Sequence, residues 1–237
     1  MRQKVMTDLQ TTLHLPARTA SSMAPFAGLG PENIHLVATP HEAASALDDL
    51  LHNPFIGFDT ESRPTFRKGE KSEGPHVLQF ATRHRAYIFQ TFRRVCEPAV
   101  AEILTSEHTV KIGFGLNDDI KRIADKFRLQ PRAIVDLDHV FKKNFGLKNS
   151  IGVKNAVALL FKRRFIKSHK STTSNWSNKL LSEKQLLYAA NDAFAAISVY
   201  VELKKRGIEV DQPPPPKRPE EKNTGERKQR KLRRLPS

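Results

Sequence analysis

Apolar positions along this chain change period several times, and the changes mark out its elements. Residues 1 to about 31 show no sustained pattern. "NIHLV" then reads as a short edge strand, and Thr39-Pro40 starts a helix that runs through Leu51. "PFIGFDTES" is an apolar run of strand length, and "PHVLQFAT" and "RAYIFQT" form two strands of a hairpin joined through "RHR". "EPAVAEILTS" is helical, "TVKIGFG" a strand, and "NDDIKRIADKFRL" a helix with apolar residues at Ile120, Ile123, Ala124 and Phe127. "RAIVDLDHVFKKNFG" passes from strand to helix and "IGVKNAVALLFKR" is a further helix. A last, long helix spans about Ser182 to Lys205, with Ser182 and Gln185 spaced as a capping box. The order βαβββαβαβαα predicts an α/β fold in which helices cover a mixed sheet.

Composition adds boundaries. From "DQPPPPKRPEE" onward proline and charge replace apolar residues, so 211–237 reads as a Pro-rich, basic, disordered tail. Residues 1–31 read as a flexible N-terminal extension, which leaves 32–210 as the folded domain. The chain has no unbroken apolar run of 18 residues, and no membrane association is expected. One cysteine, Cys96, excludes an internal disulfide and fits a reducing compartment. With no secretory signal in the N-terminal stretch, an intracellular protein is expected, cytoplasmic or nuclear if eukaryotic, with an organelle transit peptide the lesser alternative.

Charge narrows the partners. The chain carries 40 Lys and Arg against 25 Asp and Glu, a net +15. From Lys217 the tail holds nine Lys/Arg and three Glu, so the body is basic as well. A basic body with a basic tail points to a polyanion, nucleic acid before membrane, because the tail has no amphipathic apolar face.

Against this background a few acids stand out. In "LLYAANDAFAAISVY" Asp192 sits in a run that is otherwise apolar or small, with Tyr188 one helical turn earlier on the same face. A buried carboxylate has to be paired, hydrogen-bonded or bound to metal. Asp59 and Glu61 follow the apolar half of "FIGFDTES" at i and i+2, which puts both on one face of the strand. Two such carboxylates repel unless a cation lies between them, and oxygen-rich clusters suit Mg²⁺ or Mn²⁺. Asp118 and Asp119 open a helix, where acids ordinarily act as caps; Asp119 borders the inward face, and Asp118 is the more solvated. Four carboxylates and a phenol on an α/β sheet of a basic protein fit two-metal phosphodiester hydrolysis.

These residues resemble the DEDDy branch of the DnaQ-like 3′–5′ exonucleases, close to the Werner-syndrome exonuclease domain and RNase D. "FDTES", "GFGLNDD" and "YAANDA" match the three exonuclease motifs in order, and "SNWSNKLLSEKQLLYAANDAFAAISVY" is similar over its length to the Werner-type signature. The resemblance covers roughly Ile34 to Arg206. It implies a ribonuclease H-like fold with a central five-stranded mixed sheet. It implies that Asp59 bridges two divalent cations, Mg²⁺ or Mn²⁺, that Glu61 and Asp192 complete one site, that Asp119 holds the second ion and that Tyr188 positions the nucleophile. Thr60, Phe66 and Gly115 are implied as substrate contacts, and single-stranded or frayed RNA or DNA 3′ ends as partners. Two departures stand out: "LNDD" carries a second acid, and Lys179-Leu180 replaces the Arg-Pro frequent in RNase D. The alternatives are a catalytically inactive nucleic-acid-binding module and a scaffold of RNA or DNA processing. Trp176 reads as a core anchor rather than a base-stacking ring. The clusters Arg67–Lys68–Lys71, Arg83–Arg85 and Lys162–Arg163–Arg164 are candidate phosphate contacts. The nine histidines show no metal-ligand spacing.

Overall fold

The computed structural model describes residues 22–65, 70, 72–166 and 174–210. Six strands form one sheet: β1 (Ile34–Val37), β2 (Phe55–Glu61), β3 (Val77–Ala81), β4 (Ala86–Gln90), β5 (Val110–Gly113) and β6 (Ile134–Asp136). Their order across the sheet is β1-β4-β3-β2-β5-β6. The hairpin partners β2–β3 and β3–β4 are antiparallel, while β1–β4, β2–β5 and β5–β6 are parallel. The five strands implied by resemblance are thus corrected to six. The extra strand is β1, which adds to the free edge of β4 in a register from Ile34–Ala86 to Val37–Phe89.

Among the described residues six helices cover the sheet: α1 (Pro40–Leu51), α2 (Glu97–Thr105), α3 (Asn117–Phe127), α4 (Leu137–Phe145), α5 (Gly152–Phe161) and α6 (Glu183–Lys205). Both helix starts read from sequence carry their caps. Thr39 with Glu42 and Ser182 with Gln185 each form a capping box, satisfying amides that would otherwise lack partners. On one face, Ile56, Phe58, Leu78, Phe80, Tyr87 and Phe89 pack against α1, α2 and α3. On the other, Val77, Ala81, Ala86 and Ile88 meet Trp176 and the first half of α6, and the second half of α6 packs with α4 and α5. The strand alternation predicted from the apolar pattern therefore sorts residues between two cores.

By length and mean hydropathy alone α6 is long and apolar enough to cross a membrane, although Asn191 and Asp192 interrupt its apolar run. Its apolarity has a different use here. Ala189, Ala190, Ala193 and Ala195 are fully buried against the sheet, and Asp192 is 3% exposed among them. Small residues let the helix approach closely: an added Cβ on Gly57 of β2 would lie 1.9 Å from the Ala193 carbonyl oxygen. Gly57 is where helix and strand backbones touch.

Within the stretch 22–31, the backbone is tied to the domain. Phe26 N–H donates to the Arg164 carbonyl and Arg164 N–H to that of Ala24, each at 2.9 Å. Leu29 N–H donates to Asn191 Oδ1 at 2.7 Å.

Candidate active site

β2 and α6 carry the acids that come together. Asp59 and Glu61 face α6 because they are in register with Gln79 and Val77 of β3, on the face that Trp176 and Tyr188 cover. Asp192 points back from α6, one turn beyond Tyr188. Each of Asp59, Glu61 and Asp192 offers a carboxylate oxygen, and these oxygens all lie within 4.8 Å of one another. All three, with Tyr188, line a cavity of about 320 Å³ that is also walled by Phe58, Thr60, Phe114 and Asp138. Three hard oxygen donors at such separation suit a magnesium- or manganese-sized cation better than any soft metal. Without a cation, like charges so close would force a proton onto one of them.

Asp119 is placed differently. It sits on α3, on the opposite side of the sheet from α6, and its Oδ1 accepts from Thr60 Oγ1 at 2.5 Å. Burial raises its pKa above the usual carboxylate range, with the Thr60 hydrogen bond and the Arg122 charge working in the other direction. The structure thus brings three of the four predicted carboxylates together and leaves the fourth on the hydroxyl of the residue between Asp59 and Glu61. Asp118 is exposed beside Lys121, at 3.5 Å, a solvated helix-start acid. Gly115 has φ +65°, a conformation favouring glycine, and its N–H donates to Asp136 Oδ1 at 3.0 Å. Thr60 is 8% exposed at the cavity wall. Phe66 and the Arg67–Lys68–Lys71 cluster lie outside the described residues, as does the tail. Trp176 is 1% exposed, its ring 5.9 Å from that of Tyr188, so it supports the tyrosine from the core.

Two polar residues of the site region escape the sequence reading. Asp138, in "VDLDHV", lines the cavity, and its Oδ1 accepts from Gly152 N–H at 2.9 Å, joining α4 to the start of α5. The available signal was a D-x-D pair at a strand-to-helix junction, and its first member is indeed a cap: Asp136 accepts from the N–H of Asp138, Gly115 and Leu116. The other is Gln79, fully buried beside Asp59, whose amide oxygen and nitrogen have no hydrogen-bond partner among the described residues. Nothing in "HVLQFA" alone distinguishes it from a surface position on a half-buried strand.

Comparison with known proteins bears on the family and the fold. A family profile described as 3′-5′ exonuclease matches residues 34–208. The bifunctional 3′-5′ exonuclease/ATP-dependent helicase WRN of Mus musculus is 26% identical over 159 residues, 67% of this chain and 11% of that protein. A 3′-5′ exonuclease of Arabidopsis thaliana is 25% identical over 151 residues, 63% of this chain and 52% of the relative. The chain thus spans about half or less of these two relatives. Among solved structures, the Aedes aegypti Nibbler EXO domain superposes with a TM-score of 0.65 at 23% identity, covering 79% of this chain and 95% of that one. Trypanosoma brucei RNase D in complex with RNA U12 gives 0.64 at 14% identity, with 83% and 66% covered. Both share the fold.

Proposed function

The chain belongs to the 3′-5′ exonuclease family, and from that premise we propose that it is an active, metal-dependent exonuclease of the DEDDy type. It hydrolyses phosphodiester bonds from the 3′ end of single-stranded or frayed nucleic acid and releases nucleoside 5′-monophosphates. The observation that carries this reading is the convergence of Asp59, Glu61 and Asp192 within 4.8 Å, in a cavity that Tyr188 also lines.

When bound, divalent cations supply Lewis-acid stabilisation of the charge that develops on the scissile phosphate. Asp59 and Glu61 of β2 and Asp192 of α6 would hold them there. Thr60 N–H donates to Asp59 Oδ1 at 2.9 Å and fixes the orientation of that carboxylate. Tyr188 orients the attacking water by hydrogen bonding. Water adds to phosphorus, the bond to the 3′ oxygen of the preceding nucleotide breaks, and that oxygen takes up a proton. In this reading Asp119 would complete the quartet by holding the second ion. The engagement of Asp119 by Thr60 is also what favours the second reading, a nucleic-acid-binding module that keeps the fold without the chemistry.

A time course with matched end-labelled single-stranded RNA and DNA, in Mg²⁺ or Mn²⁺ and in chelator, separates the two. Stepwise shortening from the 3′ end, abolished by chelator and by Asp192→Asn in a folded protein, is the expected result. Retention of turnover in Asp192→Asn would show the metal site to be misassigned. Binding without shortening of either nucleic acid would establish the module.

A further inference from the structure

The turn that follows β4 stands at the same end of the sheet as the acids, and a short ladder ties the two together. His76 N–H donates to the Glu61 carbonyl at 2.8 Å, and Thr91 N–H to the His76 carbonyl at 2.9 Å. Thr91 Oγ1 and Lys126 Nζ both donate to the Pro75 carbonyl, at 3.0 and 2.8 Å. These hydrogen bonds link the end of β2 to Thr91 through His76 and Pro75. Directly after Thr91, Phe92 is 46% exposed and Val95 54% exposed. The Arg93 guanidinium carbon lies 5.0 Å from the centre of the Phe92 ring, a cation–π distance.

Cations crowd this edge, and they are held in two ways. Arg63 and Arg94 face Glu70 and Glu97 at 3.5 and 2.8 Å. Arg93 Nε instead donates to the neutral Gln90 side chain at 3.3 Å, and Lys126 Nζ is held by the carbonyls of Pro75 and Glu73. These hydrogen bonds go to neutral groups, and the acids whose charge reaches the two cations are Glu42 for Arg93 and Glu73 for Lys126. Burial lowers the pKa of Lys126, with the Glu73 carboxylate opposing and Arg94 adding to the shift.

We infer that the Thr91–Val95 turn is a landing surface for single-stranded nucleic acid, taking the bases 5′ of the terminal nucleotide on Phe92 and their phosphates on Arg93 and Lys126. An exposed aromatic ring beside two cations whose hydrogen bonds go to neutral groups fits a strand of stacked bases, and it fits an apolar or acidic protein surface less well. The inference rests on the proposed exonuclease reading and adds to it a second contact beyond the acids. Substrates long enough to reach the turn are favoured over those that fill the cavity alone.

The test compares full-length wild type, Phe92→Ala and Phe92→Trp on a labelled trinucleotide and on a long single-stranded oligoribonucleotide. Loss of one stacking contact lowers kcat/KM on the long substrate by roughly 5- to 100-fold. The trinucleotide is cut as by wild type, and Phe92→Trp restores the long substrate. An equal loss at both lengths, or no loss on the long one, overturns the inference. Fluorescence anisotropy of the same oligonucleotides in chelator reads binding without turnover. If wild type cuts neither substrate, the exonuclease reading fails, and the surface is judged on binding: weaker capture of the long strand by Phe92→Ala supports it, and unchanged capture refutes it.

Discussion

Gly57→Ala tests how the acids are held at their separation. The added methyl would lie 1.9 Å from the Ala193 carbonyl oxygen and 2.7 Å from its carbon, and both are helix backbone. Cβ atoms essentially never come within 3.0 Å of such an atom, so α6 must retreat from β2 by about 1.1 Å. β2 cannot give way instead, because it is paired on one side with β3 and on the other with β5. Overpacking of this kind costs about 1–3 kcal/mol, or about 2–10 °C in Tm for a domain of this size. Activity suffers more. Ala193 follows Asp192 directly, so the retreat carries this carboxylate away from Asp59 and Glu61, and a misplacement of about 1 Å costs on the order of 100-fold in turnover.

The assay pairs thermal unfolding with 3′-end shortening measured well below the transition. Gly146→Ala is the control: Gly146 has φ +67° and nothing within 4 Å of an added Cβ, so it strains the chain far from the acids. The expected pattern is a lowered Tm in both variants and lost turnover in Gly57→Ala alone. Wild-type Tm and turnover in Gly57→Ala would refute the close approach of helix and strand. A lowered Tm with intact turnover would show that the seating of α6 does not set the carboxylate geometry.

Two further changes probe buried polar groups. Gln79→Met removes a fully buried amide that lacks partners among the described residues, so Tm is expected to hold or to rise; a clear fall in a thermal scan would show that the amide is satisfied. Lys111 is buried with Nζ donating to the Ser106 and Thr109 carbonyls, and burial lowers its pKa to about 7. Because the unfolded chain keeps the ordinary lysine value of about 10.4, it binds the extra proton between those two pH values, and stability rises across that window by a few kcal/mol. Unfolding midpoints taken from pH 7 to pH 10 should climb in wild type and flatten in Lys111→Met; parallel curves would mean that Lys111 stays charged in the fold.

What the sequence shows of this molecule follows from how local the deciding interaction is. Thr39 and Ser182 were readable as helix starts because a capping box closes within four residues. Asp59 with Glu61, and Tyr188 with Asp192, were readable as shared faces because strand and helix periods fix direction over one turn or less. β1 was readable as a strand, yet its joining the same sheet depends on a partner about fifty residues away. The partner of Asp119 is likewise remote: Thr60 lies 59 residues earlier, and the helix pattern could say only that Asp119 borders the inward face. Asp138 reaches the cavity through the meeting of α4 and α5, and Gln79 is buried only because α6 lies over β3. Gly57 belongs to the same class. In the sequence it is a glycine that weakens a strand, and in the fold it is the gap that admits a helix carbonyl. Residues whose chemistry depends on direction along one element were visible in advance. Those whose chemistry depends on the distance between two elements were not, and the separation of the acids is such a distance, which is why a methyl group on the neighbouring strand is expected to disrupt it.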